Sequence, residues 1–116
     1  MVRWLAALNT LAALSSAGFG VAALLRPGLI APSGQDTSSR FYPAMYAARA
    51  IPLGLAVAVA VWLTPAPTFL VLLLVAAIVA QLGDIAIGVA YRVPGMIAGP
   101  VIAVLCHGAA VVVTAW

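Results

Sequence analysis

Long apolar runs alternate with short polar breaks along this chain, and the breaks predict four spans. The runs cover roughly residues 4–25, 44–63, 68–91 and 95–116. Each approaches the ~20 residues a helix needs to cross a bilayer. The first has the outline of a signal peptide, with Arg3 ahead of an apolar stretch and small residues behind. It is longer than the usual apolar core of about 7–15 residues, which favours a span. Residues 26–43 form the one long break, rich in turn types: Pro27, Gly28, Pro32, Ser33, Gly34, Asp36, Ser38 and Ser39. The other breaks are tight, Thr64 to Pro67 and Arg92 to Pro94. Short turns make neighbours antiparallel, so helix two is expected to pair with helix three, and three with four. The expected fold is all-α, an integral membrane antiparallel four-helix bundle, with residues 1–116 as a single domain. Helices satisfy their own backbone polar groups, as hydrocarbon requires.

Composition removes the soluble alternative. Hydrophobic residues make up 66% of the chain and charged residues 6%, against roughly 25% charged in soluble domains. Lys and Glu are absent. The charges are Arg3, Arg26, Arg40, Arg49, Arg92, Asp36 and Asp84, with His107 as the one histidine. The net charge of +3 is dispersed, with no basic stripe, so no nucleic-acid partner is expected. The lone Cys106 builds neither a disulfide nor a zinc site, and neither metal nor cofactor is expected. The arginines read instead as topology signals. Arg3 lies at the face holding the termini, and Arg26, Arg40 and Arg92 lie at the opposite face. The positive-inside rule then puts both termini outside a bacterial-type cytoplasmic (plasma) membrane. Trp4, Trp62 and Trp116 gather at the first face, and Phe41, Tyr42, Tyr46 and Tyr91 at the second. Interfacial aromatics at these positions support the span boundaries.

Several polar groups fall inside the spans. Arg49 and Asp84 both sit about 8–10 Å below the same surface, counting 1.5 Å per residue. Each would cost about 2.5–3.5 kcal/mol at the bilayer centre. An Arg49–Asp84 ion pair facing the interior offsets much of that. The alternative is that Arg49 snorkels to the headgroups; Asp84, with its short stem, has no such escape. Gln81, Gly88 and Tyr91 share the Asp84 face, and Tyr46 shares that of Arg49. Pro52 leaves the Ala48 carbonyl without its helical donor. His107 lies about 7 Å deeper than Asp84 by the same helical rise. It continues a small-residue stripe of Gly95, Gly99 and Ala103 that predicts close helix approach. A neutral histidine hydrogen-bonded to a neighbouring helix explains it equally well. Asn9, Ser16 and Gly20 read as packing glue on helix one. Together these residues predict an interior pocket lined by Arg49, Asp84, His107, Gln81, Tyr46 and Tyr91, suited to a lipophilic molecule with one polar end.

The run Phe41-Tyr42-Pro43-Ala44-Met45-Tyr46-Ala47-Ala48-Arg49-Ala50-Ile51-Pro52-Leu53-Gly54-Leu55 resembles a family of small four-helix membrane proteins of unknown function allied to the DoxX-like proteins. Leu82-Gly83-Asp84, the late His107 and Gly28-Leu29-Ile30-Ala31-Pro32 add to the likeness. The resemblance spans roughly residues 27–107. It implies small-small-Arg, Gly-Leu, Gly-Asp and late-His positions, and no established activity. This chain departs from the pattern at Ala50, where such proteins often carry an acidic residue, which leaves Asp84 as the carboxylate available to Arg49.

Three function classes follow. The first is a binder of a small lipophilic molecule, with Arg49, Gln81, Tyr46 and Tyr91 as ligand contacts. Asp84 and His107 are then the catalytic candidates for acid–base chemistry such as isomerisation, cyclisation or epoxide opening. Whether the chain is an enzyme stays open, since no nucleophile elbow, phosphate loop, redox pair or metal-ligand cluster is present in the sequence. The second is a small transporter or channel subunit. Small multidrug resistance exporters match in size but need a membrane glutamate that this chain lacks, so a carrier would work through Asp84. The third is an accessory membrane scaffold. Membrane lipid, the lipophilic molecule and a second copy of the chain are the partners these readings invoke.

Overall fold

The computed structural model describes residues 1–30, 41–63 and 67–115. Four helices run through them: α1 (Arg3–Leu25), α2 (Phe41–Ala60), α3 (Pro67–Ala90) and α4 (Ala98–Ala115). Short 3₁₀ turns occupy Pro27–Ile30 and Pro94–Met96, and there is no strand among the described residues. Asp36, Arg40, the turn at 64–66 and Trp116 lie outside the described residues. All four helices, α4 with its preceding turn, are long and apolar enough to cross a membrane. The long axis measures 46 Å, close to the ~40–45 Å of a bilayer with its headgroups.

Burial is inverted relative to a water-soluble bundle. Leu11, Leu72, Val79 and Leu105 are exposed, while Asn9, Gln81, Asp84 and His107 are buried. Apolar surface outside and polar side chains inside suit a hydrocarbon solvent, where satisfying a polar group is worth more than hiding an apolar one. The chain is an all-α, multi-pass membrane four-helix bundle.

Three boundaries differ from the sequence expectation by three residues each, and proline explains the two helix starts. Helix α2 includes Phe41 and Pro43 and ends at Ala60, three residues before the predicted limit of 63. Pro43 falls in the first turn, where the missing N–H has no helical partner to lose. Likewise α4 begins at Ala98 rather than 95, after the turn at Pro94–Met96, with Pro100 in its own first turn. Between α3 and α4 the chain reverses through Arg92 at φ 57°. The Val93 N–H donates to the Gly88 carbonyl at 2.8 Å. That six-to-one bond with a left-handed residue before it is a Schellman stop, and Pro94 prevents continuation.

Helix pairing also departs from expectation. The most extensive interface joins α1 to α2, the next α3 to α4, and then α1 to α4. The α2–α3 interface, expected to be a main pair, is the smallest of the four. Side-chain size gives the reason. Ala13, Ala17 and Gly20 on α1 face Ala47, Ala50 and Gly54 on α2, so these backbones approach closely. The α2–α3 seam instead holds Tyr46, Arg49 and Asp84. The small-residue stripe expected on α4 is also corrected. Its buried face is Pro100, Ala103, His107 and Ala110, while Gly99 is exposed with open space beside it.

A Cβ placed on Gly54 would lie 2.5 Å from the Ala13 carbonyl oxygen. Backbone must then move, so Gly54→Ala is expected to lose about 1–3 kcal/mol of stability despite the better helix propensity of alanine. Gly83 has nothing within 4 Å of its Cβ direction, and Gly83→Ala should melt at or slightly above the parent temperature. Thermal melts in detergent compare the two; equal melting would remove close α1–α2 approach as the organising contact.

Candidate functional site

The helical repeat brings the polar groups inward one by one. On α3, Gln81, Asp84 and Gly88 are buried, while Leu82 and Gly83 between them face outward. On α2, Tyr46 is buried and Arg49 lies at the edge of the same face. The Arg49 Nη2 donates to Asp84 Oδ1 at 2.5 Å. The arginine side chain is 37% exposed and the aspartate 5%, so one carboxylate is enclosed while its partner keeps an open edge. Arg49 Cζ also lies 5.3 Å from the centroid of the Tyr46 ring, within cation–π range. Phe19 from α1 meets that ring edge-on at 5.6 Å. Phe19, Tyr46, Arg49 and Asp84 thus form a line of contacts from α1 through α2 to α3.

The second carboxylate oxygen is different. Asp84 Oδ2 is buried and has no hydrogen-bond partner among the described residues. An unpaired buried acceptor costs ~1–3 kcal/mol, and more when charged. The loose α2–α3 seam opens into a cavity of about 540 Å³ lined by Tyr46, Arg49, Asp84, Ile87, Tyr91 and Met96 among others. The size falls within the ~300–1,000 Å³ of small-molecule sites. Tyr42 and Tyr91 line the cavity, and both are exposed. It lies toward the end of the bundle that carries the two 3₁₀ turns, which contribute Ile30 and Met96 to its wall.

Four of the predicted site residues, Tyr46, Arg49, Asp84 and Tyr91, share this cavity, and Gln81 and His107 do not. Gln81 Nε2 donates to Ser16 Oγ at 3.1 Å. His107 Nδ1 lies 2.7 Å from Asn9 Oδ1. The Asn9 amide nitrogen donates to the Leu5 carbonyl at 2.9 Å, so its oxygen is the acceptor and His107 carries the proton on Nδ1. His107 lines a crevice of about 10 Å³ with Arg49 and Gln81, room for one water at most. Asp84 and His107 thus line different spaces, with Arg49 on both, and Asn9 holds the histidine through its Nδ1. A further cavity of about 400 Å³ lies between α1 and α4, walled mainly by apolar residues such as Leu11, Phe19 and Ile102. Tyr46 lines both this space and the seam cavity.

The chain matches no protein-family model, no curated protein and no solved structure. Geometry alone therefore defines the site. Sequence reasoning missed its apolar wall, made by Ile30, Met45, Ile87 and Met96. Part of that wall had a signal: Met45 precedes Arg49 by four positions and Ile87 follows Asp84 by three, so each shares its partner's helix face. Ile30 and Met96 had none, since they arrive from turns.

Removing one partner of the pair should harm the protein more than removing both. Arg49→Ala strands Asp84 in the seam, at ~3–5 kcal/mol for fully buried pairs and less here because Arg49 has an open edge. Adding Asp84→Ala should recover part of that loss in detergent melts. Single and double variants of equal stability would show that the contact contributes nothing to folding.

Proposed function

We propose that this protein binds a small lipophilic molecule with a polar end, inside the membrane, in the seam between α2 and α3. The observation that carries this reading is the 540 Å³ cavity itself, which sets the Arg49–Asp84 pair beside the apolar side chains of Ile87 and Met96. A scaffold would gain from filling that seam with leucine or valine, since apolar replacement of buried ion pairs is often neutral or stabilising. Instead the seam keeps a charge pair and open volume. Arg49 and Asp84 orient the polar end, Tyr46 closes the inner wall, and Ile87 and Met96 contact the apolar body. The resemblance to the DoxX-like group supports the same polar positions, Arg49 and Asp84, and adds no activity. Transport through Asp84 is the second reading, favoured by the presence of Tyr46 on both large cavities. It would need that ring to move.

The membrane proposed is a plasma membrane of bacterial type, with Arg26 and Arg92 at the cytoplasmic face and both termini outside. In a Cys106→Ala background, Leu29→Cys should resist an impermeant thiol reagent in intact cells while Leu63→Cys reacts. The opposite pattern inverts the topology.

The binding reading is tested by Arg49→Met combined with Asp84→Leu. That pair should fold with stability near the parent's, yet lose lipophilic molecules that co-purify with the parent and appear as mass adducts in native mass spectrometry. Adducts retained equally by both proteins would place binding elsewhere and return the seam to a structural role.

A further inference from the structure

The crevice of about 10 Å³ takes one polar residue from each helix: Ser16 of α1, Arg49 of α2, Gln81 of α3 and His107 of α4. The rest of its wall is aliphatic. Gln81 is 5% exposed and His107 1%, and each has a polar atom to spare. His107 uses Nδ1 on Asn9, which leaves Nε2 as a bare acceptor. Gln81 uses Nε2 on Ser16, which leaves Oε1 as a second acceptor. Among the described residues, the fully enclosed side-chain atoms without a partner are Asp84 Oδ2 and Thr114 Oγ1. His107 Nε2 is therefore not sealed in protein. The open space beside it is the crevice, because His107 lines neither of the two large cavities. Donors stand on the same wall. The Ser16 hydroxyl accepts from Gln81 and keeps its own proton to give, and the Arg49 guanidinium has N–H groups beyond the one on Asp84.

Size and chemistry single out one occupant. A space of this volume holds about one water and no organic molecule. A cation would meet the guanidinium, and an anion would meet the lone pairs of Nε2 and Oε1. Water suits both halves of the wall, since it donates two hydrogen bonds and accepts others, and buried waters make about three. We infer that the junction of the four helices binds a single ordered water, which donates to His107 Nε2 and Gln81 Oε1 and accepts from Arg49. The water completes a line of hydrogen bonds with one residue from each helix: Asn9 on α1, His107 on α4, Arg49 on α2 and Asp84 on α3. It joins the histidine to the ion pair although the two line different spaces. The inference stands independently of the lipophilic ligand proposed for the seam.

His107 is the one histidine of the chain, so isotopically labelled histidine reports this site alone. The full chain is measured by NMR in nanodiscs of deuterated lipid. The imidazole should carry its proton on Nδ1, the Nε2 resonance should be displaced toward that of a hydrogen-bonded acceptor, and magnetisation should pass from water to the ring C–H protons. Ala77 lines the crevice, and Ala77→Val fills it with two further carbons. In that variant both the water transfer and the Nε2 displacement should be lost. An unaltered protein without transfer from water overturns the inference, whether Nε2 is unbonded or is held by a side chain. Transfer that survives Ala77→Val overturns it as well, by placing the water elsewhere. Should Ala77→Val fail to fold, the two signals of the unaltered protein decide alone, because the crevice is where a water meets this ring.

Discussion

A carboxylate inside a membrane is the constraint on which this structure turns. Asp84 cannot reach the headgroups on its short side chain, and ionised it cannot remain alone in hydrocarbon. Arg49 answers it from the neighbouring helix, and Tyr46 lies against the guanidinium from beneath. Holding those three groups keeps α2 and α3 from packing as closely as the small-residue faces of α1 and α2 do. The same contact that makes the charges tolerable therefore props the seam open. The pair and the cavity therefore occupy one seam.

The remaining polar groups serve a different purpose. Asn9 with His107 ties α1 to α4, and Ser16 with Gln81 ties α1 to α3. Trp62, just beyond α2, donates to Thr10 on α1 at 2.8 Å. Each of these links crosses between helices and uses its acceptor. Interhelical hydrogen bonds of this kind contribute roughly 0.6–2 kcal/mol each in membrane bundles. They explain how a bundle with weak apolar contrast between its faces chooses one arrangement. Asp84 Oδ2 stands apart from them because its bonding is unfinished.

Much of this was legible in the sequence, for stated reasons. Apolar runs of near 20 residues separated by proline-rich breaks leave few alternatives to four spans, and equal depth on adjacent helices was enough to join Arg49 to Asp84. Depth says nothing, however, about rotation. His107 lies deeper than Asp84 and looked like the floor of the same pocket, yet its ring turns to Asn9, a residue 98 positions away. Short connections likewise suggested that α2 and α3 would be the closest pair. The packing follows side-chain size instead, and Gly54 against Ala13 brings α2 to α1. The cavity wall drew on Ile30 and Met96, whose turns carry no helical periodicity from which a face could be read.

The most direct measurement is an experimental structure of the protein extracted gently from its own membrane and crystallised in a lipidic phase. The account predicts Arg49 bonded to Asp84, α2 and α3 held apart, and elongated density in the seam with a polar atom within hydrogen-bond distance of the Arg49 guanidinium. Arg49 extended to the headgroups, with α2 and α3 closed against each other and no density beside Asp84, would contradict it.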